Sequence, residues 1–228
     1  SLKNARLRKI ERKFKPIERR INRLETLQKF FKGDLDKGFF IPNRWNEQTI
    51  AYYRKEIEKY AEIKPAKEFG TNYAEFYKDG EGAIQKLLAE ANAAKQAGEE
   101  FSGQVAGAFE KQIDGVLSDI DLVWGNDKMG LQKIYDKHLS DFSDFAGANP
   151  QEKLANGISE IIAQGKIIEK DGVKTIWHTK DDKNFIVGLS KGWEGKGENL
   201  WIITSYEKTK GEIPKEFLRG NNLNLSAY

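Results

Sequence analysis

"KIIEKDGVKTIWHT", residues 166–179, places two apolar, strand-forming runs on either side of Asp171-Gly172. That dipeptide tolerates left-handed backbone and closes two-residue hairpins. Two more runs of the same texture follow, "NFIVGLSKGW" (184–193) and "LWIITSYEK" (200–208), separated by the glycine-bearing loop "EGKGEN". Consecutive strands joined by short connections predict an antiparallel sheet. Upstream, "GQVAGAFEK" (103–111) and "DIDLVWG" (119–125) also read as strands. "GEGAIQKLLAEANAAKQAG" (80–98), "GLQKIYDKHLSDF" (130–142) and "NPQEKLANGISEIIAQGK" (149–166) carry helical apolar spacing, the last opened by Asn149 and Pro150. The expected fold is α+β: helices packed on a four-stranded or larger antiparallel sheet, with all major strands beyond residue 100.

The N-terminal stretch has a different period. Leu7, Phe14 and Ile21, and likewise Ile10, Ile17, Leu24 and Phe31, recur every seven residues, interrupted by Pro16. "KGDLDKG" (32–38) reads as a turn. Asn43 or Asn46 can then cap a helix whose apolar face is Trp45, Ile50, Tyr53, Ile57 and Tyr60/Ala61. "IKPAKE" (63–68) ends it. The sequence therefore divides into a helical, basic segment over 1–64 and an α+β domain over 65–228. The tail "LRGNNLNLSAY" has no period and is expected to be loosely ordered.

With 228 residues and 39% hydrophobic content the chain can bury a core, and it has no cysteine. A disulfide framework and thiolate metal sites are excluded, and the compartment stays open. No apolar run reaches the roughly 20 residues that span a bilayer, and "SLKNARLRKI" lacks a signal peptide's apolar segment. Residues 1–31 hold eleven Lys/Arg against three Glu, a local charge of +8 that leaves −5 for the rest of a chain with net charge +3. Such a segment can attract phosphate. A solvated helix whose apolar seam packs on the rest of the chain or on a partner is the favoured reading.

"FGTNYAEF", "GQVAGAF", "DIDLVWG", "GLQKI" followed by "KHL", "VGLSKGW" and "WIITSYE", in that order over about 66–208, resemble the phage-associated endoribonucleases of the barnase, EndoU, colicin and RelE superfamily. Such domains occur in epsilonproteobacterial mobile elements and phage polyvalent proteins. The resemblance implies helices against a four-stranded antiparallel sheet, with the active site on the open sheet face. It also implies a metal-independent, cofactor-free toxin module that cleaves RNA to a 2′,3′-cyclic phosphate and a 5′-hydroxyl. The implied partners are RNA and an immunity or antitoxin protein, and residues 1–64 would dock a partner or the rest of a larger protein. The setting would be the cytoplasm or a target cell into which the domain is delivered.

Metal-free RNA cleavage uses the ribose 2′-hydroxyl as nucleophile, so the protein must supply a base, an acid and groups that stabilise the phosphorane. His138, one of two histidines, follows Leu131, Ile134 and Tyr135 at helical spacing, which turns it inward, either as a core histidine or as the proton-transfer group of "KHL". His178 has no motif support and reads as a surface residue. Lys191 leaves its strand just before Gly192, where it can neutralise phosphate or simply be solvated. Alternation puts Trp201, Ile203 and Ser205 on one strand face and Ile202, Thr204 and Tyr206 on the other. Ser205 or Thr204, whichever meets the open face, could hydrogen-bond the scissile phosphate. Lys111, Trp193 and Tyr206 are the candidate substrate contacts. Asp119 and Asp121 share one strand face and could bind Mg2+, act as a base, orient His138 or a lysine, or form a polar edge; positioning is favoured. The competing functions are a degenerate module that binds RNA or an immunity protein, and a metal-dependent nuclease using Asp119 and Asp121.

Overall fold

The computed structural model describes residues 43–218. The heptad seam, Pro16, the turn at 32–38 and the tail beyond Leu218 lie outside them, as do the side chains of Asn43, Trp45 and Asn46. The chain divides into two compact units, residues 1–64 and 65–228. In the first, helix α1 (Asn43–Ala61) has Ile57 fully buried and Ile50, Tyr53, Tyr60 and Ala61 half-buried, the expected apolar stripe. Glu62 takes left-handed backbone at φ 57°. Its N–H donates to Lys59 O at 3.3 Å, and that of Ile63 donates to Glu58 O at 3.0 Å. This is a Schellman stop. The following Pro65 disfavours further helix.

The second unit is built on one seven-stranded sheet in the order β1-β2-β3-β7-β6-β5-β4. Its strands are β1 (Thr71–Asn72), β2 (Gly103–Ile113), β3 (Val116–Val123), β4 (Lys166–Lys170), β5 (Val173–Lys180), β6 (Lys183–Trp193) and β7 (Lys196–Glu207). The strands of eight or more residues lie beyond residue 100, as the apolar alternation predicts. The sheet is mixed, however, where the sequence suggested an antiparallel one. The β4-to-β7 meander is antiparallel, and so is the β2–β3 hairpin. β1 pairs β2 in parallel, and β3 pairs β7 in parallel, Ile120 opposite Leu200 and Asp121 opposite Trp201. The parallel join follows from connectivity. Residues 124–165 carry two helices, α3 (Leu131–His138) and α4 (Pro150–Gln164), across to the far edge. The meander then returns β7 to β3 in the same direction, as a crossover requires.

Four two-residue turns have positive φ at both positions: Asp114-Gly115, Asp171-Gly172, Asp181-Asp182 and Glu194-Gly195. These are the hairpin turns whose twist matches that of the strands. "EGKGEN" is consequently no loop: Glu194-Gly195 is the turn, and β7 starts within it at Lys196. Helix α2 (Gly80–Gln96) is capped by Asp79, whose Oδ1 accepts the Gly82 N–H at 3.0 Å. α4 starts as its sequence signals, with Asn149 Oδ1 accepting the Glu152 N–H at 2.9 Å and Pro150 in the first turn.

α2, α3 and α4 cover one sheet face. Ile84, Leu87, Leu131, Ile134, Leu154, Ile158 and Ile161 meet Ile120, Leu122, Phe185, Val187, Leu189 and Ile202 in the main core. The other face is only partly open. Phe69 covers Val123 and Trp201 there, and Phe217 covers Ile168, Trp177 and Ile186.

Two irregularities set which side chains reach which face. In β7, Ile203 is the extra residue between the pairs Leu189–Ile202 and Gly188–Thr204. In β2, the register shifts so that Ala106, Gly107 and Ala108 stand against Asp121 alone. Gly107 has φ +64°, and a Cβ there would lie 2.4 Å from the Tyr77 ring. Gly107→Ala is expected to lower unfolding stability by about 1–3 kcal/mol, through left-handed strain plus the clash. Urea denaturation of the two proteins measures it.

Candidate active site

β3 leaves the sheet at Val123, and the chain turns back at once. Gly125 has φ 72°. The Asn126 N–H donates to Met129 O at 2.9 Å, and Asn126 Oδ1 accepts the N–H groups of Lys128 and Met129 at 2.8 and 3.2 Å. The Gly130 N–H then donates to Ile203 O at 2.8 Å, filling a position on β7 that β3 no longer reaches. α3 thus starts against the free edge of β7. Leu131 and Ile134 are fully buried, and their helical stripe leads to His138.

The His138 ring stacks on Tyr206 with centroids 5.1 Å apart and planes at 33°. Its Nδ1 lies 3.5 Å from Asp141 Oδ2, and that oxygen accepts the Glu207 N–H at 3.1 Å. Burial holds the His138 pKa below its ordinary value; Asp141 works upward against it, and Lys133 and Lys137 add to the downward push. The imidazole is therefore neutral at physiological pH and can accept a proton.

The bulge at Ile203 breaks the strict alternation expected for "WIITSY". Ile202 faces the helices, yet Ser205, three residues on, does so too, opposite Val187. Ser205 is fully buried, and its hydroxyl donates to Ile186 O at 2.7 Å. Thr204 and Tyr206 share the opposite face. Thr204 Oγ1 is buried without a hydrogen-bond partner, one pleat from Tyr206, or about 7 Å along the strand.

Other candidates lie elsewhere. Lys191 pairs with Leu200, six positions from Tyr206 on β7, which is about 20 Å away. It is exposed and ion-paired to Glu198 at 2.5 Å. Lys111 donates to Ile162 O at 2.5 Å near the end of α4, a helix-terminus contact, and burial lowers its pKa. Trp193 packs edge-on against Phe69 at 5.4 Å and near Trp201 at 6.1 Å. His178, expected at the surface, is largely covered, with Nε2 2.9 Å from Glu160 Oε2.

The two strand carboxylates share a face as their spacing dictates, but they have separate tasks. Asp121 is buried. Its Oδ1 accepts the Gly107 N–H at 2.7 Å and its Oδ2 accepts from Asn199 Nδ2 at 3.0 Å. Asp119 is ion-paired with Lys78, whose Nζ also lies 2.9 Å from Glu110 Oε2. Burial lowers the Lys78 pKa, yet the hydrogen bonds to Asp119 and Glu110 carry it above its usual value. Among the described residues no group of three or more His, Cys, Asp or Glu is arranged to hold a metal.

Sequence reasoning missed Asp141, Lys133, Lys137 and Lys78. Asp141, three residues after His138, could have been found as its neighbour; Lys133 and Lys137 lie five residues and one residue before that histidine, spacings that do not share its helix face. Lys78 reaches Asp119 from a left-handed position, φ 62°, in a turn with no motif.

The geometry lies within a stretch that can be compared with known proteins. Residues 108–212 are similar to a nuclease family. The match is to the family described as phage-Barnase-EndoU-ColicinE5/D-RelE like nuclease1. It runs from the end of the β2 bulge past β7 and includes His138, Asp141, Thr204 and Tyr206. It supports a nuclease-superfamily domain and a nuclease function in general terms, hence a nucleic-acid substrate. No curated protein matches the chain. Among the described residues no helix is long and apolar enough to cross a membrane.

Burial raises the Asp121 pKa above its usual value, against the lowering effect of Asn199 and the Gly107 amide. A carboxyl raised on folding favours the folded state fully below its unfolded pKa and loses that contribution as pH climbs through the folded value. Asp121→Asn cannot ionise. It is expected to flatten the part of the Tm decline that belongs to this group as pH rises above the ordinary carboxylate value, as paired thermal melts would register.

Proposed function

We propose that residues 65–218 are an endoribonuclease that cleaves RNA through the substrate's own 2′-hydroxyl, with His138 as base. The observation that carries this is the stack of a quarter-exposed His138, its pKa held down by burial, on Tyr206, inside the nuclease-like stretch. Nε2 of His138 takes the 2′-hydroxyl proton, and the 2′-oxygen attacks the adjacent phosphorus. The Thr204 hydroxyl is buried out of a substrate's reach, so the charge that gathers on the phosphorane falls to cationic side chains. The imidazolium returns the proton to the departing 5′-oxygen, leaving a 2′,3′-cyclic phosphate and a 5′-hydroxyl. Lys133 and Lys137, on the same helix, supply positive charge to the backbone, a part that Lys191 is too distant to play. Tyr206 offers its ring to a base.

The reading extends to a toxin module, acting in the cytoplasm or in a cell to which it is delivered. It would be held in check by an immunity or antitoxin protein and joined through residues 1–64 to a partner or a larger protein. A metal-dependent nuclease on Asp119 and Asp121 is less well supported, because Lys78, Gly107 and Asn199 already engage those carboxylates.

RNA should be cut in EDTA while DNA of the same sequence is spared, since DNA lacks the nucleophile; activity that requires added Mg2+ would transfer the chemistry to the carboxylates, and RNA binding without cleavage would leave a degenerate binding module. His138→Gln should lower the cleavage rate by about 10²- to 10⁴-fold with little change in melting temperature. Retained activity in that variant excludes His138 as the base. Lys133→Ala and Lys137→Ala should each weaken RNA binding and reduce the slope of log affinity against log salt by about 0.7, read by fluorescence anisotropy across a salt series.

A further inference from the structure

Asp141 stands at a junction. Its Oδ2 accepts the backbone N–H of Glu207 at 3.1 Å, which ties the 3-10 turn after α3 (Leu139–Phe142) to the free edge of β7. The same oxygen lies 3.5 Å from His138 Nδ1. Glu207 follows Tyr206, the residue on which the His138 ring stacks. One short piece of β7 thus fixes the imidazole twice, its plane through Tyr206 and its Nδ1 edge through Asp141.

We infer that Asp141 is a positioning residue for His138: it holds the Nδ1–H tautomer and leaves the Nε2 lone pair free for the substrate. The inference rests on the endoribonuclease reading only for what Nε2 then does. An imidazole with a carboxylate beside one nitrogen puts its proton there, because the other tautomer would set two lone pairs against each other. A distance of 3.5 Å is long for a hydrogen bond, and contacts of this kind tighten when substrate is bound. The backbone tether to Glu207 keeps Asp141 from swinging away.

The charges around the ring decide the sign of the test. Lys133 and Lys137 act on it electrostatically from α3, Tyr206 and Glu207 come from β7, and Asp141 comes from the 3-10 turn. The Glu207 carboxylate is turned toward Lys183, 3.8 Å away. Asp141 is therefore the carboxylate that favours imidazolium. Removing its charge must lower the pH at which His138 titrates. The amide oxygen of Asn can still accept the Glu207 N–H, so Asp141→Asn removes the charge while retaining the tether.

The experiment is a 1H–15N NMR titration of the imidazoles in the full chain, with His138→Gln identifying the His138 signals, alongside the pH dependence of kcat/KM on RNA. In the wild type His138 should be in the Nδ1–H tautomer. In Asp141→Asn its midpoint should move to lower pH, while the retained amide oxygen still favours Nδ1–H. The acid limb of the activity profile should follow, and kcat should fall by roughly ten-fold with KM little changed, part of the contribution of proton transfer. Asp141→Glu should restore much of the loss. An unchanged midpoint and profile in Asp141→Asn, whatever its melting temperature, overturns the inference. So does an Nε2–H tautomer in the wild type, which needs no variant to fold. If the wild type does not cut RNA, the endoribonuclease reading fails, and the titration still decides whether Asp141 governs His138.

Discussion

The buried carboxylate of Asp121 ties together three parts of the sheet that would otherwise have no reason to be in register. One oxygen takes the Gly107 amide from the β2 bulge, the other takes the Asn199 side chain from the start of β7, and Asp121 itself lies on β3, opposite Trp201. A bulge leaves backbone amides without ladder partners, and a buried unpaired amide costs about 1–3 kcal/mol. Asp121 and Asn72 meet that requirement, Asn72 Oδ1 accepting the Ala106 N–H at 2.9 Å. With the bulge held, Gly107 O accepts the Lys78 N–H at 2.9 Å, and Lys78 is delivered to Asp119 and Glu110. Both strand carboxylates thus tie the bulge and its neighbouring turn into the sheet.

The parallel β3–β7 pair that Asp121 and Asn199 secure also creates the place where chemistry is proposed. β3 stops at Val123 while β7 continues to Glu207, so the last residues of β7 have a free edge. Backbone groups on such an edge need partners. Gly130 and Asp141 supply them at Ile203 and Glu207, and α3 between those two contacts is pressed against the strand. His138 at its end meets Tyr206 for that reason. Burial holds the His138 pKa down, and Lys133 and Lys137 add to that push, a combination suited to taking a proton beside a phosphate.

Much of this was legible in the residues themselves. Two-fold and 3.6-fold apolar spacing located β2 to β7 and all four helices named here, because burial of one face imposes those periods whatever the final topology. Asn149-Pro150 and Asp171-Gly172 marked a helix start and a hairpin through local backbone preferences alone. The inward turn of His138 followed from its helical spacing from Leu131 and Ile134, and the shared face of Asp119 and Asp121 from pleating.

What the chain could not disclose locally depends on partners distant in sequence. The parallel join of β3 to β7 is set by where a long crossover returns, and no short window contains that. The bulge at Ile203 moved Ser205 into the core and left Thr204 on the other face, since one extra residue reverses every later side chain. Lys191 resembled a phosphate ligand in its own segment, yet register put it at the opposite end of β7 from His138. The sequence by itself determined which segments are helices and strands and which way most side chains turn, because those are contests among neighbours. Only the tertiary structure decided which polar groups meet, because a carboxylate's role depends on the donors that the folded chain brings within about 3 Å of it.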